Sequence, residues 1–341
     1  MKLSLVELAP VTPGRDKTHA LEQAVGAARH AEQLGYLRIW YAEHHNTSGF
    51  ASADPGLLIA MAARETSRIR VGSGAVLLNH YSPLRVAETF LQLEAQAPGR
   101  VDLGLGRATA GPIVDLALQR DRGTRPVDDY AAQIEEILAY FCRAFPADYP
   151  LAAIDPTLGI PTRPDVWLLG SSGNSANLAG ALGLGYAFAG FINPRGSIPA
   201  LARYRAAATR DADRGGARTI LAVNCVVADT DDEAHRLTWY ARAYFQRLST
   251  HGVQVGLPTM AETEKELSSR LKDEPSVIVD GQWPRQLGGS PATVRSQLAI
   301  MAEVSGADEI MVQDMLPDPE IRARSRELLA QSIGITTPTP P

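Results

Sequence analysis

What most constrains this chain is a repeated alternation of short apolar runs with longer segments of helical periodicity. The runs are LSLVEL (3–8), LRIWYAEH (37–44), IRVGSGAVLL (69–78), VDLGLG (101–106), DVWLLG (165–170), YAFAGF (186–191), TILAVNCVVA (219–228) and DEIMVQDM (308–315). Most are continuously apolar, the pattern of strands covered on both faces of a parallel sheet. Eight such units predict a (β/α)8 TIM barrel rather than a doubly wound sheet, and no linker divides the chain into halves.

Helix boundaries are readable. From His19 to Gly35, the residues Leu21, Val25, Ala28, Ala31 and Leu34 form one stripe, with Gly35 as the stop. Asp54-Pro55 and Ser82-Pro83 read as an N-cap followed by a first-turn proline, and "GSP" at 289–291 repeats the signal. Further helices are predicted at about 127–145, 175–184, 198–214, 230–250, 291–305 and 318–333. Three connections are long: 109–125, 145–164 and 251–290. The last is a candidate lid, or an insertion that only caps the barrel. The reading is therefore one domain, 1–334, with a Pro/Thr-rich tail at 335–341 that is predicted to be disordered.

Composition narrows the function. At 45% hydrophobic and 21% charged, the chain has ample core-forming residues. A net charge of −5 offers no basic surface for nucleic acid or an anionic membrane. No run approaches the ~20 apolar residues of a membrane span, and the start, MKLSLVELAP, has too short an apolar run for a signal peptide. Cys142 and Cys225 lie far apart and form no CxxC, which predicts a reducing cytoplasm.

A barrel of this kind carries its chemistry at the C-terminal strand ends. Glu7, Glu43 to His45, Ser73 to Asn79, Arg107, Ser171 to Ser175, Asn193, Asn224, Gln313 and Asp314 fall there. The segment GSSGNSANLAG (170–180) runs from a strand straight into a helix, where backbone N–H groups bind anions. Ser171, Ser172, Asn174 and Ser175 add polar groups, and Arg107 adds a guanidinium from a neighbouring strand. Taken singly they read as a capped helix and an arginine paired with a surface acid; taken together they predict a phosphorylated ligand. "GLGRATAG" is no dinucleotide fingerprint, because Gly104 and Gly106 are followed by Thr109 where a glycine is required.

The stretch WYAEHHNTSG (40–49) sets two histidines side by side. On an extended chain they point to opposite faces, so they cannot share one metal, and neither HExxH spacing nor a nearby cysteine supports a metal site. One should face the barrel mouth, as a base or hydrogen-bond donor, while the other packs sideways against Glu43 or a loop. The small residues of VGSGAVLLNH (71–80) leave room for something flat, or serve strand packing.

Three segments carry a resemblance. Residues 41–108, with "EHH", the Ser-Pro helix start and "PGRVDLGLGR", together with 167–191 and 288–298, resemble the bacterial luciferase-like flavin monooxygenases. The resemblance implies a (β/α)8 fold, a homodimer, and reduced FMN supplied by a separate flavin reductase. It also implies dioxygen and a small organic substrate as the other reactants. It assigns the catalytic role to His44 and a non-proline cis peptide to Gly74-Ala75, supporting the flavin ring. The phosphate falls to Arg107 and to Ser171, Ser172, Asn174 and Ser175. Two departures stand out: Gly170 replaces an acid of the luciferases, and 251–290 has no clear match, so neither an aldehyde substrate nor light emission carries over. Two alternatives remain: deazaflavin-dependent hydride transfer within the same superfamily, and a non-catalytic FMN-binding protein. The Ala/Leu-rich helices at 54–66 and 83–97 are the predicted dimer face.

Overall fold

The structure is a computed structural model that describes residues 1–108, 110–119, 122, 128–208 and 217–335. Its strands are β1 (Lys2–Glu7), β2 (Arg38–Tyr41), β3 (Arg70–Ser73), β4 (Val76–Leu77), β5 (Val101–Gly106), β6 (Asp165–Gly170), β7 (Gly185–Ala189), β8 (Thr219–Val227), β9 (Gln286–Gly289) and β10 (Glu309–Gln313). All pair in parallel, in the ring β1-β2-β3-β5-β6-β7-β8-β10. The ring closes where Glu309 lies between Lys2 of β1 and Ile220 of β8. This is the predicted (β/α)8 barrel.

Two strands depart from the expectation. The third run is broken: β3 stops at Ser73, the Gly74-Ala75 peptide is cis, and β4 resumes beside β5. β9 was not expected; it lies outside the ring against the C-terminal half of β8, with Asn224 opposite Gln286.

The helices are α1 (Lys17–Leu34), α2 (Pro55–Glu65), α3 (Pro83–Gln96), α4 (Pro112–Leu118), α5 (Tyr130–Cys142), α6 (Gly173–Ala181), α7 (Ser197–Ala207), α8 (Asp231–His251), α9 (Met260–Glu266), α10 (Ser269–Lys272), α11 (Pro291–Ser305) and α12 (Pro319–Ile333). Asp16 and Asp54 cap α1 and α2, accepting from His19 N at 3.0 Å and Gly56 N at 2.8 Å. Ser82 and Ser290 hold N-cap positions without a capping bond; the Ser290 hydroxyl turns to Thr293 Oγ1 instead, at 3.2 Å. The long connections are partly helical, holding α4, α9 and α10. Parts of the connection expected at 109–125, the predicted helix ends at 127 and 209–214, and tail residues 336–341 lie outside the described residues.

Alternation along each strand divides the interior in two. Residues such as Leu3, Leu5, Ile39, Leu103 and Val312 point outward into the main core beneath the helices. Val6, Trp40, Trp167, Ala187, Ala222 and Met311 point inward. At the N-terminal end of the barrel the interior is polar and tightly paired. Arg38 bonds Asp102 at 2.6 Å and Glu309 at 2.9 Å, while Trp40 Nε1 donates to Asp102 at 2.8 Å. The Arg38 guanidinium also lies 4.9 Å from the Trp167 ring centroid. Pairing of this kind offsets the cost of burying the charges. This layer fills the bottom of the barrel, and the principal cavity opens at the opposite, C-terminal end.

Candidate active site

The chain leaves β2 at Tyr41 and stays extended because the loop returning through Ser52 ties it down. Ser52 Oγ donates to Ala42 O at 2.5 Å, and His44 N donates to Ser52 O at 2.8 Å. Alternation continues through this segment, so Trp40, Ala42 and His44 share the inward face, while Glu43 and His45 turn to the other side and pair with each other, though both still touch the cavity wall. That separates the histidine pair. His45 Nε2 lies 2.8 Å from Glu43 Oε1, as the sideways packing required. Glu43 also accepts from Tyr81 Oη at 3.0 Å and from Leu77 N at 3.0 Å. Its oxygens are thus taken up in pinning β4 to the end of β2, which fixes the Gly74-Ala75 segment between them.

His44 lines a cavity of about 1210 Å3 at the barrel mouth. Its ring rests against Phe50, centroids 5.0 Å apart, and Phe50 rests against Tyr244 at 5.3 Å. Burial, reinforced by the neighbouring His45, pushes the His44 pKa down to about 4. The imidazole is therefore neutral at physiological pH. Its Nδ1 is buried and has no hydrogen-bond partner among the described residues, a cost that protein interiors rarely leave standing.

Of the predicted site residues, His44, Gly74, Ala75, Arg107 and Ser171 converge on this cavity. Ser172, Asn174 and Ser175 do not reach its wall. Helix α6 begins at Gly173, which directs Asn174 to the surface. The Ser175 hydroxyl donates to Ser172 O at 3.2 Å and lies 3.3 Å from Tyr186 Oη. It also fills the space a side chain at Gly170 would need, so the acid of the luciferases has no room here. Arg107 Nη2 lies 2.8 Å from Asp128 Oδ2, both side chains well exposed; this is the surface pairing, and a weak one.

The glycines of β3 and β5 have separate reasons. Gly72 and Gly104 serve packing, since a Cβ would meet Asp102 at the first and the Ser73 carbonyl at the second. Gly74, Ala75 and Gly106 instead line the cavity, where small residues leave a flat stretch of wall.

Two strand-end acids do not serve the mouth. Glu7 and Asp314 face outward and share Arg326 of α12, at 2.8 and 2.7 Å. Gln313 does line the cavity, its Nε2 donating to Asn224 Oδ1 at 2.8 Å. The wall supplied by α8, including Arg242, Tyr244 and Phe245, was not expected from the sequence, and Arg285 comes from the candidate lid at 251–290. The aromatic and arginine face of α8, just before a long insertion, was the available signal. Among the described residues no group of three metal-ligating side chains converges, and no helix is long and apolar enough to cross a membrane.

Comparison with known proteins agrees with this geometry. Residues 1–309 match the family described as luciferase-like monooxygenase. The YwcH protein of Bacillus subtilis (strain 168) is 38% identical, over 98% of this chain and 99% of its own. A luciferase-like monooxygenase of Escherichia coli (strain K12) is 34% identical over 95% of both chains. The crystal structure of apo-MsnO8 superposes with a TM-score of 0.89 at 40% identity, covering 98% of this chain and 99% of that one. Two remoter structures share the fold. One is the oxygenating constituent of 3,6-diketocamphane monooxygenase from Pseudomonas putida in complex with FMN (TM-score 0.72, 22% identity, 98% and 97% covered). The other is the coenzyme F420 dependent tetrahydromethanopterin reductase of Methanopyrus kandleri (0.64, 15%, 98% and 99%). With a family match over nine-tenths of its length and relatives aligned end to end, the chain belongs to the luciferase-like monooxygenases, a family of oxidoreductases.

Proposed function

We propose that the protein uses reduced FMN, delivered by a separate flavin reductase, and dioxygen to oxygenate a small organic substrate. The observation that carries this reading is the unpartnered His44 Nδ1 in a large cavity that also has a flat Gly74, Ala75 and Gly106 wall. The residues fit the cofactor. Small-molecule pockets run roughly 300–1,000 Å3, so 1210 Å3 leaves room for a tricyclic ring beside a substrate. In this reading the flat wall would support the ring, and Arg107 with Ser171 would meet the phosphate at the edge. The bound flavin would supply the redox chemistry with dioxygen. His44, kept neutral, would accept or donate a hydrogen bond and move a proton near the ring. Phe50, Tyr244 and Phe245 would exclude water and hold an apolar substrate body.

Deazaflavin-dependent hydride transfer is the second reading, favoured by the fold shared with the F420-dependent reductase. Titration with FMN, reduced FMN and a deazaflavin, then a substrate panel under dioxygen with a flavin reductase, separates the two. Tight deazaflavin binding without FMN binding would overturn the proposal; FMN binding without any turnover would point to a non-catalytic flavin carrier. The reading places the protein in the cytoplasm, in keeping with Cys142 and Cys225 as free thiols. The segment at 251–290 supplies part of the cavity wall and would act as its cover.

Two outcomes follow. Arg107→Ala should weaken FMN binding by about 10–100-fold, the worth of a charge-assisted hydrogen bond, and leave riboflavin binding nearly unchanged. Equal losses for both ligands would remove Arg107 from the phosphate site. The dimer is proposed to form through α2 and α3, because Leu57 and Met61, one turn apart on α2, are 67% and 52% exposed. Leu57→Glu with Met61→Glu should then convert a dimer to a monomer in sedimentation, and a wild-type monomer would refute the interface.

A further inference from the structure

One end of the cavity is built of cations that the proposed flavin chemistry does not use. Arg242 of α8, Arg270 of α10 and Arg285 before β9 all line it. Arg285 adjoins β9, which pairs with β8, three strands round the ring from β5, the strand that Arg107 follows. Arg242 is only 5% exposed. Its Nη1 donates to Leu271 O at 2.7 Å and Lys272 O at 3.3 Å, and its Nη2 to Pro275 O at 3.5 Å. These carbonyls hold the guanidinium still but bring no counter-charge. Its Nε is buried without a partner.

Among the described residues, none of the three arginines forms an ion pair. Burial holds the Arg242 pKa below the ordinary guanidinium value, opposed by the charge of Glu274. The acids on the cavity wall are Glu43, whose oxygens are already taken up, and Glu274. Three guanidinium groups therefore face one available carboxylate. A buried charge without its partner is costly, and an incoming anion relieves that cost. Tyr244, Phe245, Leu248 and Val253 line the same cavity and offer apolar surface for the rest of the ligand.

We propose that this end recognises a carboxylate, so that the molecule oxygenated is an organic acid with an apolar body. That the acid is oxygenated rests on the monooxygenase reading; its recognition rests on the arginines alone. Binding therefore tests it without flavin. Calorimetric titration of the flavin-free protein with octanoate, methyl octanoate and 1-octanol should show octanoate binding at least about tenfold more tightly, or roughly 1.4 kcal/mol. The preference should shrink with added salt, because Arg270 and Arg285 are exposed.

Arg270→Gln with Arg285→Gln should lower octanoate affinity about tenfold and leave the ester and alcohol unchanged. Arg242→Gln should abolish the preference. Should that variant fold poorly, because Arg242 also anchors 271–275, the exposed pair decides. Acid and ester binding alike, no saturable octanoate binding, or equal losses for acid and ester would each overturn the proposal. FMN titrated into the same variants should bind as in wild type. A protein that binds octanoate but not FMN refutes the flavin reading alone; one that binds FMN without preferring the acid refutes this inference alone.

Discussion

Replacing Arg326 by methionine is expected to lower the free energy of unfolding by about 3–5 kcal/mol, the usual cost of breaking a buried ion cluster from one side. Arg326 is 4% exposed and grips Asp314 through Nε at 2.7 Å and Nη2 at 3.1 Å, and Glu7 through Nη2 at 2.8 Å. Glu7 ends β1 and Asp314 follows β10, so this one side chain fastens α12 across the seam where the barrel closes. Methionine matches the stem but leaves two buried carboxylates facing each other. The sign of the pH dependence follows. Burial pushes Glu7 up, but Arg326 and Arg322 outweigh it and hold its pKa below the usual value. Asp314 lies above its usual value, because burial exceeds the pull of Arg326. Without Arg326 both carboxylates move upward. On acidification the folded variant then takes up protons before its unfolded chain does, and so gains stability relative to wild type. Urea denaturation should find the deficit largest near pH 8 and smaller near pH 5. Adding Glu7→Gln should recover part of it. A deficit under about 1 kcal/mol, or one indifferent to pH, would show that the cluster does not hold the seam.

That cluster shows where the sequence stops being informative. Barrel class was legible because covered parallel strands are apolar throughout, and the histidine pair was legible because alternation is local. Glu7 and Asp314 stand at the ends of apolar runs, which by sequence alone places them at the mouth. Their partner lies 319 residues from Glu7, and no periodicity links them. β9, QLGG, carries two glycines in four residues and has no strand signature of its own; it forms because β8 runs long enough to offer a second edge. The serine loop was half legible. The strand end brings Ser171 to the cavity, but the position at which α6 starts decides where Asn174 and Ser175 point, and helix starts are poorly fixed by sequence alone. Arg242 is hidden for a related reason: one of three arginines on an amphipathic helix, it reads as solvated until the chain at 271–275 is seen folded over it.

Under the proposed reaction, His44→Ala is expected to lower turnover by about 10²–10⁴-fold, the usual contribution of a positioned acid–base group, while FMN affinity stays within about threefold. The split follows from geometry. The Gly74, Ala75 and Gly106 wall and the Arg107 edge are independent of the imidazole, so its removal leaves the binding surfaces in place. What disappears is a neutral ring with one unpartnered nitrogen against Phe50. Because burial and His45 push the His44 pKa down to about 4, the ring is already neutral well below pH 6.5. The acid limb that His44 contributes to the rate should therefore fall near pH 4 and be absent in His44→Ala. Stability moves in the same sense. The unfolded chain takes up a proton on this residue as pH falls below its ordinary value near 6.5, and the folded protein only near 4. The folded state therefore loses ground between those two pH values, and the alanine variant should lose less. Dioxygen uptake with a flavin reductase and an accepted substrate, followed from pH 4 to 9, measures the first effect; urea midpoints over the same range measure the second. Undiminished turnover in His44→Ala would move the proton chemistry to another residue of the cavity, and an acid limb retained in that variant would assign the limb to a different group.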